Sequence, residues 1–242
     1  MERYGIIGKQ LSHSFSPNYF NAKFQREGRA AEYLKFELPA IEAVSKVLSM
    51  SDLKGFNVTI PYKQAIMPYL DALSDEAASI GAVNCVAKEK GIWKGYNTDV
   101  IGFAESLQPL LQKHHQRALV LGTGGASKAV VYVLQQMEIA YQMVSRTASA
   151  AVLSYAQITP ELLASCPLVI NTTPLGMFPA IDACPDLPYE ALTSKHLCYD
   201  LIYNPATTLF LSKAQQQGAT IINGEAMLLA QAEAGWRIWT AK

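Results

Sequence analysis

The residues richest in chemistry are Asn57, Thr59 and Lys63, within the run Gly55-Phe-Asn-Val-Thr-Ile-Pro-Tyr-Lys63. Phe56 to Ile60 alternates apolar with polar residues and is β-branched at Val58, Thr59 and Ile60. That pattern predicts a short strand with Asn57 and Thr59 on one face. Pro61 stops a central strand and presets a helix start, which puts Lys63 just inside the following turn. An amide, a hydroxyl and an ammonium thus converge at one strand end. The neutral groups match a polyhydroxylated ligand, and the cation meets oxyanion charge that develops during reaction. The bland alternative is a solvated lysine beyond an edge strand.

A second constellation is Leu121-Gly-Thr-Gly-Gly-Ala-Ser-Lys128, which follows an apolar strand pattern and opens a helical one. Gly122, Gly124 and Gly125, with Thr123 and Ala126 between and after them, permit a tight turn and close backbone approach to a pyrophosphate. The free N–H groups of the helix start then face the anion. Ser127 stands where the usual fingerprint has its third glycine, and a plain βα turn also uses glycine. About 20 positions further on, where NAD-specific proteins tend to place an acid, the chain reads Ser145-Arg146-Thr147. Arg146 can stack on adenine and offer its fork to a 2′-phosphate, with Ser145 and Thr147 adding hydroxyls. The expectation is NADP(H) preferred, with NAD(H) possible.

Composition narrows the field. At 242 residues the chain suits two domains of about 100 to 150 residues each. Half the residues are hydrophobic and 17% are charged, as in a globular protein with substantial cores. The formal net charge of zero gives no electrostatic footprint for nucleic acid or an anionic membrane. Cys85, Cys166, Cys184 and Cys198 show no C-x-x-C spacing, and read as small buried side chains in a reducing compartment, not metal ligands. The N-terminus runs straight into a short strand, so a secretory signal is not supported. No apolar run of about 18 residues is present. The expectation is a cytoplasmic protein, monomeric or homodimeric, binding a small molecule and no metal.

Strand-like and helical patterns alternate almost throughout, the signature of α/β architecture with largely parallel sheets. Strands are expected at Tyr4–Ile7, Glu32–Glu37 and Gly55–Ile60, with a hairpin from Ala82–Ala87 to Ile92–Tyr96. Helices are expected from about Pro17 through Arg26 and after Pro39. A helix from about Val100 to Leu111 leads to the polar joint Gln112-Lys-His-His-Gln-Arg117. Adjacent histidines on a helix point in different directions, so His114 and His115 read as solvated residues. A fresh βα unit follows: strand Ala118–Leu121, helix Ala126–Met137, strand Gln142–Ser145. Further strands fall at Leu168–Ile170, Leu197–Leu201 and Thr220–Ile222, and an amphipathic helix runs from Gly224 to about Trp239.

Several motifs, in order, carry a resemblance. They are Leu11-Ser-His-Ser-Phe-Ser-Pro17, the run ending in Lys63, Ile80-Gly-Ala-Val-Asn-Cys85 and Gly95-Tyr-Asn-Thr-Asp-Val-Ile-Gly-Phe103. Asn171-Thr-Thr-Pro-Leu-Gly-Met177, Asp200-Leu-Ile-Tyr-Asn-Pro205 and the final helix with Gln231 complete the series. Nearly end to end, the chain resembles the shikimate dehydrogenases. The resemblance implies an open, largely parallel α/β substrate domain over residues 1–100, completed by the C-terminal helix 223–242. A Rossmann-type, doubly wound dinucleotide-binding domain would occupy 101–222. It implies an oxidoreductase acting on a CH–OH group, reducing 3-dehydroshikimate to shikimate with NADPH in the route to chorismate and aromatic amino acids.

Lys63 and Asp99 are implied as the catalytic pair, although Asp99 also suits a helix N-cap. Ser14 and Ser16 are implied at the substrate carboxylate, and two hydroxyls two residues apart on an extended segment project the same way. Asn57, Thr59, Asn84 and Gln231 would match ring hydroxyls, with Tyr203 near the carboxylate. Asn171 to Met177, with Thr172, Thr173, Pro174 and Met177, would line the nicotinamide side, and Leu201 and Gly224 are implied as further cofactor contacts. His13 has no partner implied by spacing. The family commonly shows Asn-Arg-Thr followed shortly by a second arginine, where this chain has Ser145 and Ala150. One arginine leaves fewer charge-assisted bonds to separate the cofactors. The rival readings are a relative that also accepts quinate, and a dinucleotide-binding sensor without catalysis.

Overall fold

Strand β1 (Glu2–Gly8) is buried from Tyr4 onward because both of its faces are covered. Tyr4 and Ile6 join one apolar cluster with Phe20, Phe24, Trp236 and Trp239, while Ile7 joins another with Val44, Phe56 and Ile66. A strand covered on both faces reads as a continuous apolar run. The computed structural model describes every residue except His13 and Lys242. It divides into two units, Met1–Thr98 with Ala232–Lys242, and Asp99–Gln231.

In the first unit β1 is followed by α1 (Phe15–Arg26), β2 (Ala31–Glu37), α2 (Val44–Leu48) and β3 (Leu53–Val58). Then come β4 (Ala72–Leu73), α3 (Asp75–Ile80), β5 (Cys85–Glu89) and β6 (Ile92–Tyr96). The sheet order is β2-β1-β3-β5-β6-β4. β1 pairs in parallel with β2 and β3, whereas β5 runs antiparallel to both β3 and β6. The expected hairpin is present, turning at Lys90 and Gly91, both at positive φ. Gly55 and Asn57 point to the face opposite Phe56 and Val58. A Cβ on Gly55 would lie 2.3 Å from the Trp239 ring, so the close approach of that indole requires glycine.

The second unit opens with α4 (Asp99–Leu107), then β7 (Arg117–Leu121), α5 (Gly125–Gln136), β8 (Ala140–Ser145) and β9 (Val152–Ser154). It continues through α6 (Pro160–Ala164), β10 (Leu168–Asn171), β11 (Leu197–Asp200), α7 (Leu209–Gln216), β12 (Thr220–Ile222) and α8 (Glu225–Thr240). Its strands are all parallel in the order β12-β11-β10-β7-β8-β9. That is the doubly wound arrangement, with its switch point between β7 and β10. Met227 of α8 packs in this unit's core with Phe103 and Tyr199. From Ala232 onward the same helix belongs to the first unit, where Trp239 Nε1 donates to the Val86 carbonyl at 2.9 Å.

Three expectations are corrected. No α-helix follows Pro61: residues 60–66 form successive turns, with Tyr62 N–H donating to the Thr59 carbonyl and Ile66 N–H to that of Tyr62, before a single 3-10 turn at Met67–Tyr69. Tyr62 and Ile66 are drawn into the core, and the Tyr62 hydroxyl donates to the Leu38 carbonyl, so non-local packing overrides the local signal. β3 ends at Val58, which leaves Thr59 beyond the strand and Ile60 77% exposed. His115 is buried, its Nδ1 accepting from Gln112 N–H, while only His114 is solvated. Among the described residues no helix is long and apolar enough to cross a membrane, and no three His, Cys, Asp or Glu side chains group to hold a metal. Cys85, Cys166 and Cys198 are buried and Cys184 is half-buried, all as free thiols.

Candidate active site

The serine segment is held by one face of β2. Tyr33, Lys35 and Glu37 alternate onto the same side of the strand. Glu37 accepts from Leu11 N–H at 2.8 Å, and Lys35 Nζ approaches the Ser12 carbonyl at 3.5 Å. Ser14 is the N-cap of α1 in extended conformation, yet among the described residues its side chain makes no capping bond. Ser16 is the second residue of α1 and buried, which corrects the expectation that both serines project from extended chain. They instead straddle a helix N-terminus, where N–H groups and the helix dipole favour an anion. His13 lies outside the described residues.

Asn57 faces inward from β3, its amide bonded on both sides. The Tyr33 hydroxyl donates to Asn57 Oδ1 at 2.6 Å, and Asn57 Nδ2 donates to the Asn84 carbonyl at 3.2 Å. Asn84 precedes β5 and clamps the chain after β6. Its Nδ2 donates to Thr98 Oγ1 at 3.0 Å, and its Oδ1 accepts from Thr98 N–H at 2.6 Å. Asp99, the next residue, begins α4 and is 7% exposed, a placement that suits an acid in a first helical turn. Lys63 is half-buried, and its carbonyl receives Val83 N–H at 2.7 Å, which ties the lysine turn to the segment carrying Asn84. Thr59 N–H donates to the Ile7 carbonyl at the end of β1. Ser16, Tyr33, Asn57, Asn84 and Thr98 are thus linked by hydrogen bonds within the first unit, while the backbones of Thr59 and Lys63 are tied to Ile7 and Val83.

In the second unit Gln231 is buried on α8, with Nε2 donating to the Leu228 carbonyl at 2.9 Å. A Cβ on Gly102 would come 3.0 Å from that of Gln231 and 2.6 Å from the Met227 carbonyl, so α4 and α8 meet through a glycine. Tyr203 is 38% exposed, and partial burial pushes its phenol pKa up.

The glycine loop has the features a pyrophosphate needs. Gly122 has φ +108°, and a Cβ there would lie 2.6 Å from Thr172 Oγ1. A Cβ on Gly124, the N-cap of α5, would meet nothing within 4 Å among the described residues, which leaves the helix start open to a ligand. Ser127 turns its hydroxyl back to the Gly124 carbonyl at 2.7 Å and is buried, so a serine fits in place of the third glycine. Gly125 and Ala126 open the helix, with Thr123 exposed beside them. At the end of β8, the Ser145 hydroxyl donates to the Thr147 carbonyl at 2.6 Å, which curls the turn and leaves Arg146 exposed.

Across the switch point the Asn171 side chain organises its own motif. Asn171 Oδ1 accepts from Thr173 N–H and Oγ1, at 3.0 and 2.7 Å, while Thr172 Oγ1 donates to the Leu121 carbonyl at 2.7 Å. These hydroxyls shape the crevice. Asn171 Nδ2, Ile202 N–H and the Thr208 hydroxyl all donate to Asp200, yet burial still pushes its carboxyl up to about 6. Pro174 starts a turn through Gly176, at φ +95°, leaving Met177 48% exposed. A Cβ on Gly224 would lie 2.1 Å from the Leu201 carbonyl oxygen, so those two backbones touch directly.

Residues 6–86 match the family described as the shikimate dehydrogenase substrate binding domain. The chain is 37% identical to the NADP(+)-dependent shikimate dehydrogenase of Caldanaerobacter subterraneus, covering 99% of this chain and 91% of that one. The chain belongs to the shikimate dehydrogenase family. Shikimate 5-dehydrogenase of Thermus thermophilus, solved with NADP(H) and shikimate, superposes with a TM-score of 0.87 at 31% identity, covering 99% of this chain and 94% of that one. Quinate dehydrogenase of Corynebacterium glutamicum, solved with NAD, gives 0.88 at 28% identity, covering 99% and 93%. Membership in the shikimate dehydrogenase family makes this an oxidoreductase of CH–OH groups.

Sequence reasoning missed Tyr33, Glu37 and Asn97. Asn97 is 6% exposed; its Nδ2 donates to the Ala82 carbonyl, and its Oδ1 has no partner among the described residues. Most buried amide oxygens are bonded, so this acceptor is an exception in the first unit. Its position beside Thr98 and Asp99 in a recognised motif was the available signal. Tyr33 carried only the alternation of a strand.

Proposed function

We propose that this chain catalyses the reversible reduction of 3-dehydroshikimate to shikimate with NADPH, within the route to chorismate and aromatic amino acids. The observation that carries the reading is the line of hydrogen bonds from Ser16 through Tyr33, Asn57 and Asn84 to Thr98, in a member of the shikimate dehydrogenase family. The uncapped serine at the start of α1 and the helix N–H groups suit a carboxylate. The amides of Asn57 and Asn84 and the Thr59 hydroxyl suit ring hydroxyls.

Gly122 to Ala126 would hold the pyrophosphate of NADP(H). Arg146 and Thr147 would hold its 2′-phosphate, and Thr172 to Met177, with Leu201 and Gly224, would flank the nicotinamide. When bound, the cofactor supplies or takes up the hydride. Lys63 holds a proton at Nζ for the substrate oxygen, neutralises its charge as the ketone becomes an alcohol, and takes the proton back in reverse. Asp99 is its proposed partner, holding the ammonium through a charge-assisted hydrogen bond. Gln231 and Tyr203 complete the substrate contacts. The free thiols support a reducing, cytoplasmic setting.

A second reading, relaxed use of quinate and NAD, is favoured by the fit to the quinate dehydrogenase and by the single arginine at the cofactor turn. The test is purified protein with shikimate and NADP, followed by absorbance of the reduced nicotinamide. Shikimate-dependent reduction of NADP is expected. No reduction with shikimate and either cofactor overturns the proposal.

A further inference from the structure

The Asn57 amide is held by a tyrosine that no motif singles out. Tyr33 sits in the middle of β2 and is 3% exposed. Its backbone is pinned in both directions by Asn21: Tyr33 N–H donates to Asn21 Oδ1 at 2.9 Å, and Asn21 Nδ2 donates to the Tyr33 carbonyl at 3.1 Å. Its ring stacks on Phe20 with centroids 4.8 Å apart and planes 11° from parallel. Neither the backbone nor the ring is left to wander, so the direction of the hydroxyl is fixed. That hydroxyl donates to Asn57 Oδ1 at 2.6 Å.

A primary amide has one oxygen and two N–H groups, and hydrogen-bond partners decide which way it faces. Here the oxygen faces Tyr33 and one N–H faces the Asn84 carbonyl. The second N–H of Asn57 has no partner among the described residues. We propose that Tyr33 is a positioning residue for the substrate: its buried hydroxyl orients the Asn57 amide so that Asn57 meets the ligand as a hydrogen-bond donor, toward an oxygen lone pair of a polyhydroxylated acid. Burial keeps the phenol protonated, and Ser16 is a second partner of the same hydroxyl. The chain continues from Asn84 to Thr98, so one tyrosine steadies a line of buried amides that ends beside Asp99.

The inference rests on the proposed shikimate activity, and the experiment separates the two. Wild type, Tyr33→Phe, Asn57→Ala and the double variant are assayed with shikimate and NADP. Tyr33→Phe removes one oxygen, and the loss of a neutral hydrogen bond corresponds to a rise of about three- to tenfold in KM for shikimate. Turnover at saturation and KM for NADP stay near wild type. In the Asn57→Ala background the same change produces no further rise in KM, because the group it orients is gone.

An inactive wild type counts against the proposed function. An active wild type with unchanged KM in Tyr33→Phe overturns the positioning role, as does an equal rise in the Asn57→Ala background. A parallel rise in KM for NADP indicates general loosening and overturns it too. Wild-type protein alone gives an independent check by nuclear magnetic resonance. Shikimate should shift one of the two Asn57 side-chain amide protons strongly and the other little. Equal shifts, or none, contradict the proposal.

Discussion

At the proposed substrate site Asn57, Asn84 and Thr98 are buried and bonded to one another, whereas at the proposed dinucleotide site Thr123, Gly124, Arg146 and Thr147 are exposed. The first site is built from side chains already aimed by their neighbours. The second is built from bare backbone at a helix start and one surface arginine. Buried, mutually satisfied polar groups are rigid and costly to rearrange, whereas an exposed cation interacts through a screened and adaptable contact. The difference teaches where selectivity should be strict and where it should be soft.

The largest expected effect sharpens the substrate side. Lys63→Ala should lower turnover by about 10² to 10⁴-fold, the usual range for general acid–base help, while shikimate binding falls much less. Steady-state rates beside calorimetric binding to the variant check this. Most of the turnover surviving at saturation removes Lys63 from the chemistry.

A second effect belongs to the dinucleotide unit alone, because its buried polar network contains a carboxyl rather than neutral amides. Asp200, pushed up to about 6 from 3.8, holds its proton more tightly folded than unfolded. Stability should therefore be highest below about pH 4 on this account and decline as pH rises to about 6, by up to about 3 kcal/mol. Urea denaturation across that window, in wild type and Asp200→Asn, measures it. A slope that persists unchanged in the variant assigns the dependence to other groups.

Ser14 and Ser16 come next. A hydrogen bond to a charged group contributes about 1.5 to 3 kcal/mol, so Ser14→Ala should raise KM for shikimate about tenfold to a hundredfold. Ser16→Ala should cost less, since its hydroxyl is shared with Tyr33. Equal KM values for both variants and wild type, at equal thermal stability, return the serines to a turn-forming role. The smallest effect is at the cofactor. Arg146→Ala should reduce the preference for NADP over NAD by about tenfold, the value of one charge-assisted contact at an exposed site. An unchanged ratio of kcat/KM would take Arg146 out of cofactor choice.

Much of this was legible in the sequence for physical reasons. The parallel strands β7, β8, β10, β11 and β12 are short apolar runs with little alternative, and the glycine loop announces itself by strand before and helix after. Lys63 lies in a turn and not in a helix, because Tyr62 and Ile66 sink into a core assembled from distant residues. β9 and α6 were not foreseen. They have three and five residues, too short for a period to emerge. His115 gave no sign of burial, since Gln112 and Lys113 beside it look like a solvated joint. Which polar groups bond to which stayed hidden: the partner of Asn57 lies 24 positions away, at Tyr33, and only the pairing of β1 with both β2 and β3 brings them together.

The contrast between the two sites is tested most directly by kcat/KM for shikimate and quinate, each with NADP and with NAD. Quinate carries an extra hydroxyl at the carboxylate-bearing carbon, the end of the substrate proposed to lie at Ser14, Ser16 and Tyr203. The account predicts activity with shikimate and NADP, a large loss on changing shikimate to quinate, and a smaller loss on changing NADP to NAD. A cofactor preference steeper than the substrate preference, or equal use of quinate, would contradict it.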